Sequence, residues 1–507
     1  MNLEPTARAR RTEGDQDVSF PTENAPEKAP EHAGEHDDAY GTDAYGTDGY
    51  ATGAYASDAY DAVASGASRV APVLRQAVAA GLVGEDRPLA GFLDVQGVRD
   101  SVAALHAAFA PVPDVLHTFA VKACALVPVL RLLADAGMGC EVASPGELRL
   151  ALDAGFDPAR IVLDSPAKTS REIREALALG IALNADNLAE LERVDALRPA
   201  DSASVVGLRV NPQVGSGTIG AMSTATRYSK FGVALRDPGA RAQVVEAFAR
   251  RPWLTRLHAH VGSQGCPLPL IAEGLGALHL LAEEIDARVG RRQVTSLDLG
   301  GGLPVNFADD TVTPTYADYV AALSAAEPAL LDGRYRLVTE FGRSLLAKNG
   351  FLAARVEYVK DAGGRRIALT HAGAQVATRT ALMPGAWPVR VSAHGPDGSP
   401  KRAPLRRHDV AGPLCFAGDV VAHERPLPEL AEGDLVVLHD TGAYYFSAHW
   451  AYNSLPRPGV YGWLARDADR IAFALVRPAQ TVREVSAESG LAQADALLTG
   501  FAAPPAP

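Results

Sequence analysis

The stretch GCEVASPGELRLALDAGFDPARIVLDSPAKTSREIREALALGIALN, residues 139–184, decides the fold. Three short apolar runs, 139–143, 160–164 and 181–184, alternate with longer segments of helical character. The segment 145–155 opens on Pro145 and closes on Gly155, a helix's usual first-turn and stop residues. Strand–helix–strand units this closely spaced build a parallel sheet. The alternation continues outward, to a run at 116–122 before the stretch and to runs at 205–210, 254–260, 295–299 and 335–340 after it, with a long helix over 268–288. That makes eight strands, the number of a (β/α)8 barrel of the TIM type. An open doubly wound sheet is the alternative on pattern alone.

Beyond residue 350 the helical pattern fades. Runs at 351–359, 366–370, 388–393, 413–420, 435–439 and 470–476 are separated by Gly, Pro and Asp, which predicts an all-β domain. The expected organisation is α/β: a tail over 1–68, a lead-in over 69–110 whose run 88–94 joins the β domain's sheet, a barrel over 111–346, the β domain over 347–485, and a C-terminal tail over 486–507. The N-terminal tail repeats tyrosine every five residues from Tyr40 to Tyr60, a period that fits neither helix nor strand. Its polar, Gly- and Asp-rich composition predicts disorder.

Charge and cysteine content narrow the function. The chain's net charge is −12, and residues 1–64, with 14 acids and four bases, carry −10 of it. The body therefore has no field that would attract nucleic acid. The four cysteines are widely spaced, without a C-x-x-C pair, so neither a structural zinc site nor a disulfide framework is expected. No apolar run reaches the ~18 residues of a membrane span and no leader is evident. A cytoplasmic protein, free of membrane and nucleic acid, is the expectation.

Chemistry should lie at the C-terminal ends of the barrel strands. Those ends carry Lys122, Glu141, Arg209, His260, the turn Gly300-Gly301-Gly302 and Glu340. Lys122 follows an apolar strand, where poor solvation lowers an ammonium's pKa and favours Schiff-base chemistry. The glycine turn offers backbone N–H groups to a phosphate. His258-Ala259-His260 could place two imidazoles on one metal, but no remaining ligand set is evident, and no metal is expected.

The ordered series Val-Lys-Ala, His-Val-Gly-Ser-Gln, Asp-Leu-Gly-Gly-Gly, Glu-x-Gly-Arg, Gly-Pro-x-Cys and Gly-Ala-Tyr resembles the fold-type III pyridoxal-phosphate decarboxylases, diaminopimelate decarboxylase nearest and ornithine decarboxylase more distant. The resemblance runs from about residue 85 to 480. It implies pyridoxal phosphate on Lys122, with His260 stacked on the pyridine ring. Ser263, Gly300, Gly301 and Gly302 would bind the phosphate, and Glu340 would keep the ring nitrogen protonated. Tyr444 would touch phosphate and substrate. Arg343 and Arg379 would bind a substrate carboxylate, and Cys415 would return a proton as general acid, entering from the second subunit of a homodimer.

The series departs from the family at the distal end of the substrate pocket. The usual Cys-Glu-Ser-x-Asp is Cys415-Phe416-Ala417-Gly418-Asp419, so Phe416 stands where the family has the carboxylate for a distal amino group. Arg-Pro-x-Leu-Tyr becomes Arg379-Thr-Ala-Leu-Met383, Glu-Pro-Gly-Arg becomes Glu340-Phe341-Gly342-Arg343, and the Asn after Lys-Ala is Cys124. The expectation is an amino-acid decarboxylase with a changed substrate. Ordinary meso-diaminopimelate decarboxylation, a racemase and a non-catalytic homologue stay open as alternatives.

Overall fold

The computed structural model describes residues 69–220, 223–467 and 470–500. The tyrosine-repeat tail expected over 1–68 lies outside them. A helix over 69–79 precedes strand β1 (Leu89–Asp94). The barrel follows as β2 (Val115–Ala120), β3 (Gly139–Val142), β4 (Ile161–Leu163), β5 (Ala182–Ala185), β6 (Val206–Asn211), the two-residue β7 (Val233–Ala234), β8 (Leu254–His258), β9 (Ser296–Asp298) and β10 (Arg336–Phe341). All eight predicted runs are strands.

Pairing closes the sheet. β5 pairs with β6 and β10 with β2, both in parallel, so the ring β2-β3-β4-β5-β6-β8-β9-β10 has no free edge, and β7 hangs on β6. This closure excludes the open doubly wound sheet. Every residue of β3, β4, β5, β6 and β9 is buried, as expected of strands covered on both faces.

Local signals fix the helices around them. Ser144 accepts from the Glu147 amide to cap the helix Pro145–Asp153. Thr169 and Glu172 form a reciprocal capping box on Ser170–Leu179, which stops at Gly180 with φ of 72°. The long helix Leu268–Val289 stops likewise at Gly290.

The second sheet contains β1 and β11 (Gly350–Ala362), β12 (Arg365–Thr370), β13 (Val391–His394), β14 (Leu405–Ala411), β15 (Val420–Pro428), β16 (Leu435–Leu438), β17 (Gly459–Ala465) and β18 (Ile471–Arg477). Its order is β15-β14-β12-β11-β1-β17-β18, with β16 pairing both β11 and β13. β1 sits between β11 and β17, so the segment ahead of the barrel completes the sheet behind it. Phe92 of β1 stacks on Phe351 at 5.0 Å and on Tyr461 at 5.9 Å, over a core closed by Val70, Leu74 and Val437.

The β region differs from expectation in four places. The run 413–420 is a loop, with β15 starting only at its end. The sequence reading has no strand at β14 or β17: β14 reads LRRHDVA with its first three residues exposed, and β17 carries two glycines, Gly459 and Gly462, that weaken its apolar pattern. The helix Ala374–Leu382 was also not foreseen. Its buried Ala374 and Ala381 pack on Leu414 of the loop that carries Cys415 and Phe416.

Candidate active site

Strand β2 ends in a short 3-10 turn, Val121–Ala123, that lifts Lys122 into the mouth of the barrel. Its Nζ donates to Glu141 Oε2 at 2.8 Å, and Glu141 is fully buried. The sequence predicts a lowered lysine pKa, and the structure corrects this. Burial does act downward, but Glu141 and Glu340, with Tyr444, outweigh it, and the net shift is upward. Burial likewise raises the Glu141 carboxyl, against the opposing pull of Lys122. The two groups thus compete for one proton across a short hydrogen bond.

Glu340 leaves β10 with its side chain fully buried and both oxygens without a hydrogen-bond partner among the described residues. Burial first, then Asp298, Asp164 and Glu141, push its pKa well above the carboxylate range. His260 Nδ1 stands 3.5 Å from Glu340 Oε2 and accepts the Gly301 amide at 3.3 Å. Burial, followed by Lys122 and Arg209, holds the His260 pKa well below its usual value, so the ring is neutral with its proton on Nε2. His258, His260 and Glu340 offer atoms within 4.8 Å of one another, the spacing a metal ion would need. The Gly301 amide already occupies the Nδ1 lone pair of His260 that faces Glu340.

The glycine turn is dictated by close approach. Gly300 and Gly302 have φ of 62° and 95°. A Cβ on Gly301 would lie 2.4 Å from the Glu340 carbonyl oxygen, and one on Gly302 would lie 2.6 Å from that of Val261. Both obstacles are backbone and cannot swing aside. Thr224 clamps the adjoining loop, its Oγ1 donating to the His260 carbonyl at 2.5 Å and accepting from the Gly262 amide at 3.1 Å.

These groups face a cavity of about 360 Å³ whose lining includes Lys122, His260, Ser263, Gly302, Glu340, Arg343, Arg379 and Tyr444. Gly300 and Gly301 lie behind it, against His260 and Glu340. Tyr444 holds a left-handed φ of 73°, costly for a bulky residue, and its amide donates to the Ala123 carbonyl at 2.6 Å. The lysine turn and the tyrosine are therefore tied backbone to backbone.

At the far end the Arg343 and Arg379 guanidiniums lie 4.5 and 4.2 Å from the Tyr444 ring centroid, and 4.6 and 5.4 Å from that of Trp387. Arg343 Nη2 and Arg379 Nη1 are buried without a hydrogen-bond partner among the described residues. Burial brings the Arg343 pKa down to about 10. Two cations thus share two aromatic faces instead of a counter-ion.

Cys415 and Phe416 do not line this cavity. Cys415 is exposed on the loop between β14 and β15, its amide donating to Asn453 Oδ1 at 2.8 Å. Phe416 packs edge-on against Trp450 at 5.9 Å. The Asp419 carboxylate ties this loop down by accepting the Ala374 and Leu414 amides.

Sequence reading missed Asp164, Thr224 and Trp387. Asp164 ends its predicted strand run and could have been found by the strand-end rule that found Lys122; it pairs with Arg209 at 3.2 Å. Thr224 and Trp387 lie in irregular segments without a periodic signal.

Comparison with known proteins gives the family. The family model described as pyridoxal-dependent decarboxylase, pyridoxal binding domain, matches residues 96–347. The diaminopimelate decarboxylase of Pseudomonas aeruginosa is 37% identical over 353 residues, spanning 68% of this chain and 80% of the relative. That of Methanothermobacter thermautotrophicus is 29% identical over 371 residues, 72% of this chain and 84% of the relative. Among solved structures, diaminopimelate decarboxylase from Helicobacter pylori complexed with L-lysine superposes with a TM-score of 0.68 at 25% identity, covering 80% of this chain and 97% of that one. Lysine/ornithine decarboxylase from Vibrio vulnificus complexed with putrescine gives 0.62 at 25% identity, over 74% and 94%. The chain belongs to the pyridoxal-dependent decarboxylases and is an amino-acid carboxy-lyase resembling diaminopimelate decarboxylase.

Proposed function

We propose that the barrel-mouth cavity holds pyridoxal phosphate on Lys122 and decarboxylates an α-amino acid that carries a second carboxylate, with a distal pocket altered from that of meso-diaminopimelate enzymes. One observation carries this reading. Lys122 and Glu340, whose two carboxylate oxygens are unpartnered among the described residues, line the same cavity beside a glycine turn that any Cβ would obstruct. Glu340 suits a ring nitrogen, Ser263, Tyr444 and the Gly300–Gly302 turn suit a phosphate, and neutral His260 suits a ring face because it brings no charge beneath it.

When bound, the cofactor supplies an electron sink for the pair left on the substrate's α-carbon as CO₂ departs. The residues arrange what surrounds that event. To bond a carbonyl carbon, Lys122 Nζ must lose a proton, and Glu141 Oε2 at 2.8 Å, its pKa already raised, is placed to take it. Arg343 and Arg379 hold the substrate's second carboxylate through their free N–H groups. Cys415 reaches the site from a second copy of the chain and returns a proton to the α-carbon. Its exposure, its absence from its own chain's cavity, and the neighbouring exposed Leu382, Met383 and Tyr452 support such a homodimer.

Of the carboxylates that line the cavity, Asp164 is paired with Arg209 and Glu340 is set against the ring nitrogen. On the partner's loop Phe416 is apolar and Asp419 is engaged by backbone amides. Among the described residues that line the cavity, no carboxylate is left for a distal ammonium, which supports a substrate other than meso-diaminopimelate. The test is CO₂ release, followed by mass spectrometry, from a panel of amino acids of both hands that includes meso-diaminopimelate. Lys122→Ala should abolish cofactor retention through gel filtration. Equal turnover of meso-diaminopimelate by the wild type and Phe416→Glu would refute the altered pocket.

A further inference from the structure

We infer that Asn453 is a positioning residue for Cys415, fixing the direction from which the thiol meets the substrate's α-carbon. This rests on the assignment of Cys415 as the group that returns the proton. Asn453 lies in the short turn Tyr452–Ser454. Its Oδ1 accepts the Cys415 amide at 2.8 Å, and the neighbouring Tyr452 hydroxyl donates to the Cys415 carbonyl at 3.2 Å. Two adjacent side chains thus grip both polar backbone groups of one residue. These bonds orient the planar peptide on each side of the Cys415 Cα, and so set its φ and ψ. The backbone in turn directs the Cα–Cβ bond, which leaves χ1 as the rotation that places Sγ.

A grip of this kind works only if Asn453 is itself held. Its φ of 55° and ψ of 18° are left-handed, a conformation that asparagine tolerates better than most residues with a Cβ. Just before it, the Trp450 amide donates to the Gln375 carbonyl at 3.0 Å and ties the segment to the helix Ala374–Leu382. Trp450 and Leu455 pack on the cluster of Ala374, Ala381 and Leu414. The Trp450 ring also meets those of Phe416 at 5.9 Å and Tyr452 at 4.9 Å. The turn and the Cys415 loop therefore rest on one platform.

Asp419 does a different job. It accepts the Ala374 and Leu414 amides, which fastens the loop to the helix and stops one residue short of the thiol. The direction of the thiol is left to Asn453 and Tyr452. That direction matters for a proton delivered to carbon. The S–H bond breaks, the hydrogen bonds to the α-carbon through the electron pair left by CO₂, and water reprotonates the thiolate. A thiol held at one angle reaches one face of that carbon. A thiol on a loop free to turn leaves both faces to solvent.

The test uses the full chain reconstituted with pyridoxal phosphate and turned over in D₂O with the best substrate of the panel. The product's amine-bearing carbon then gains one deuterium, and NMR of a chiral derivative reads its hand. Asn453→Gly keeps the left-handed turn and removes the acceptor. It should lower kcat about tenfold or more with KM unchanged, and give product of mixed hand. Exchange of the Cys415 amide, read by mass spectrometry without substrate, should quicken too. Asn453→Asp keeps an acceptor oxygen and should restore a single hand. Cys415→Ala sets the reference loss, and adding Asn453→Gly to it should lose nothing more. A larger loss in the double variant, or a single hand in Asn453→Gly beside a mixed one in Cys415→Ala, overturns the inference and leaves the Cys415 assignment standing. Wild-type kcat and hand in Cys415→Ala overturn both. With pyridoxal phosphate labelled with ¹⁵N at the ring nitrogen, wild type and Asn453→Gly should give the same solid-state NMR signal. A moved signal would place the effect at the cofactor and overturn the inference.

Discussion

Trp387 gives the sharpest test of the substrate end of the site. The residue is 5% exposed, and its ring lies 4.6 Å from the Arg343 guanidinium and 5.4 Å from that of Arg379. A desolvated cation–π contact contributes about 2 kcal/mol and a weaker one about 0.5–1 kcal/mol. Tyr444 still contacts both arginines from its own side, so losing the Trp387 face should cost about 1–3 kcal/mol of carboxylate binding. At about 1.4 kcal/mol per factor of ten, this is roughly a 5- to 150-fold rise in KM. Trp387→Ala would also open a cavity worth about 3–5 kcal/mol of stability, which confounds the reading. Trp387→Phe and Trp387→Leu are the better pair, because both keep apolar bulk and Phe alone keeps a π face. The assay is KM and kcat for the best substrate of the panel, with the inhibition constant of pimelate, a dicarboxylate without an amine. Trp387→Leu should raise KM and the pimelate constant together, Trp387→Phe by less than tenfold, with kcat nearly unchanged in both. Equal effects of Leu and Phe, or a fall in kcat at constant KM, would refute the claim that the ring face stands in for a counter-ion.

Three further perturbations follow from the geometry. Gly302→Ala places a Cβ 2.6 Å from the Val261 carbonyl at a φ of 95°; equilibrium dialysis should show at least tenfold weaker retention of pyridoxal phosphate, with an unchanged circular dichroism spectrum. Asp419→Asn replaces an acceptor-only carboxylate that takes two backbone amides, Ala374 and Leu414, with a group that can accept only one of them. The amide's NH₂ must face one of them, so the Cys415 loop should loosen, with lower kcat and unaltered cofactor binding, read by steady-state kinetics and absorbance. His394 donates Nδ1–H to the Gly398 carbonyl at 3.1 Å, and burial brings its pKa down to about 4. The unfolded chain binds that proton near pH 6.5, so the stability this neutral ring contributes is present above 6.5 and is lost as pH falls toward 4, by roughly 3 kcal/mol in all. Urea titrations between pH 7 and 4 should slope less for His394→Gln than for wild type, and parallel curves would contradict this.

The barrel was legible because its signal is local. Each strand is a short apolar run, and each helix announces its ends, as Ser144 with Pro145 and Thr169 with Glu172 do. The strand-end rule then found Lys122, Glu340 and His260 without any knowledge of three-dimensional contacts. It could not give the sign of the Lys122 shift, because Glu141 and Glu340 reach the lysine only once the barrel has closed. The β domain was less legible for a related reason. β14 is recognisable as a strand chiefly by its partners β12 and β15, since its own first half is exposed and charged. Trp387 sits in Pro384-Gly-Ala-Trp387-Pro388, where no period exists to mark it as packed against two arginines.

This division in legibility coincides with a division of labour. Apart from Tyr444, which follows β16 in the β domain, the groups assigned to the cofactor stand on or just beyond the strands of the closed ring β2 to β10, where a shift of one strand would disturb both neighbours. The groups assigned to the substrate stand mostly outside the ring. Arg379 is on a helix of the β domain, Trp387 is in an irregular segment, and Phe416 is on a loop held by one carboxylate, Asp419. A substitution there changes what is bound without moving Lys122, Glu141, Glu340 or the glycine turn. The motifs of decarboxylation can therefore stay intact while Phe416 and Met383 depart from the family pattern. Phe416→Glu should accordingly alter the order of preferred substrates while the ¹⁵N signal of the bound cofactor ring stays where it is in the wild type. A change in that signal would mean that the two ends of the site are coupled through the dimer rather than independent.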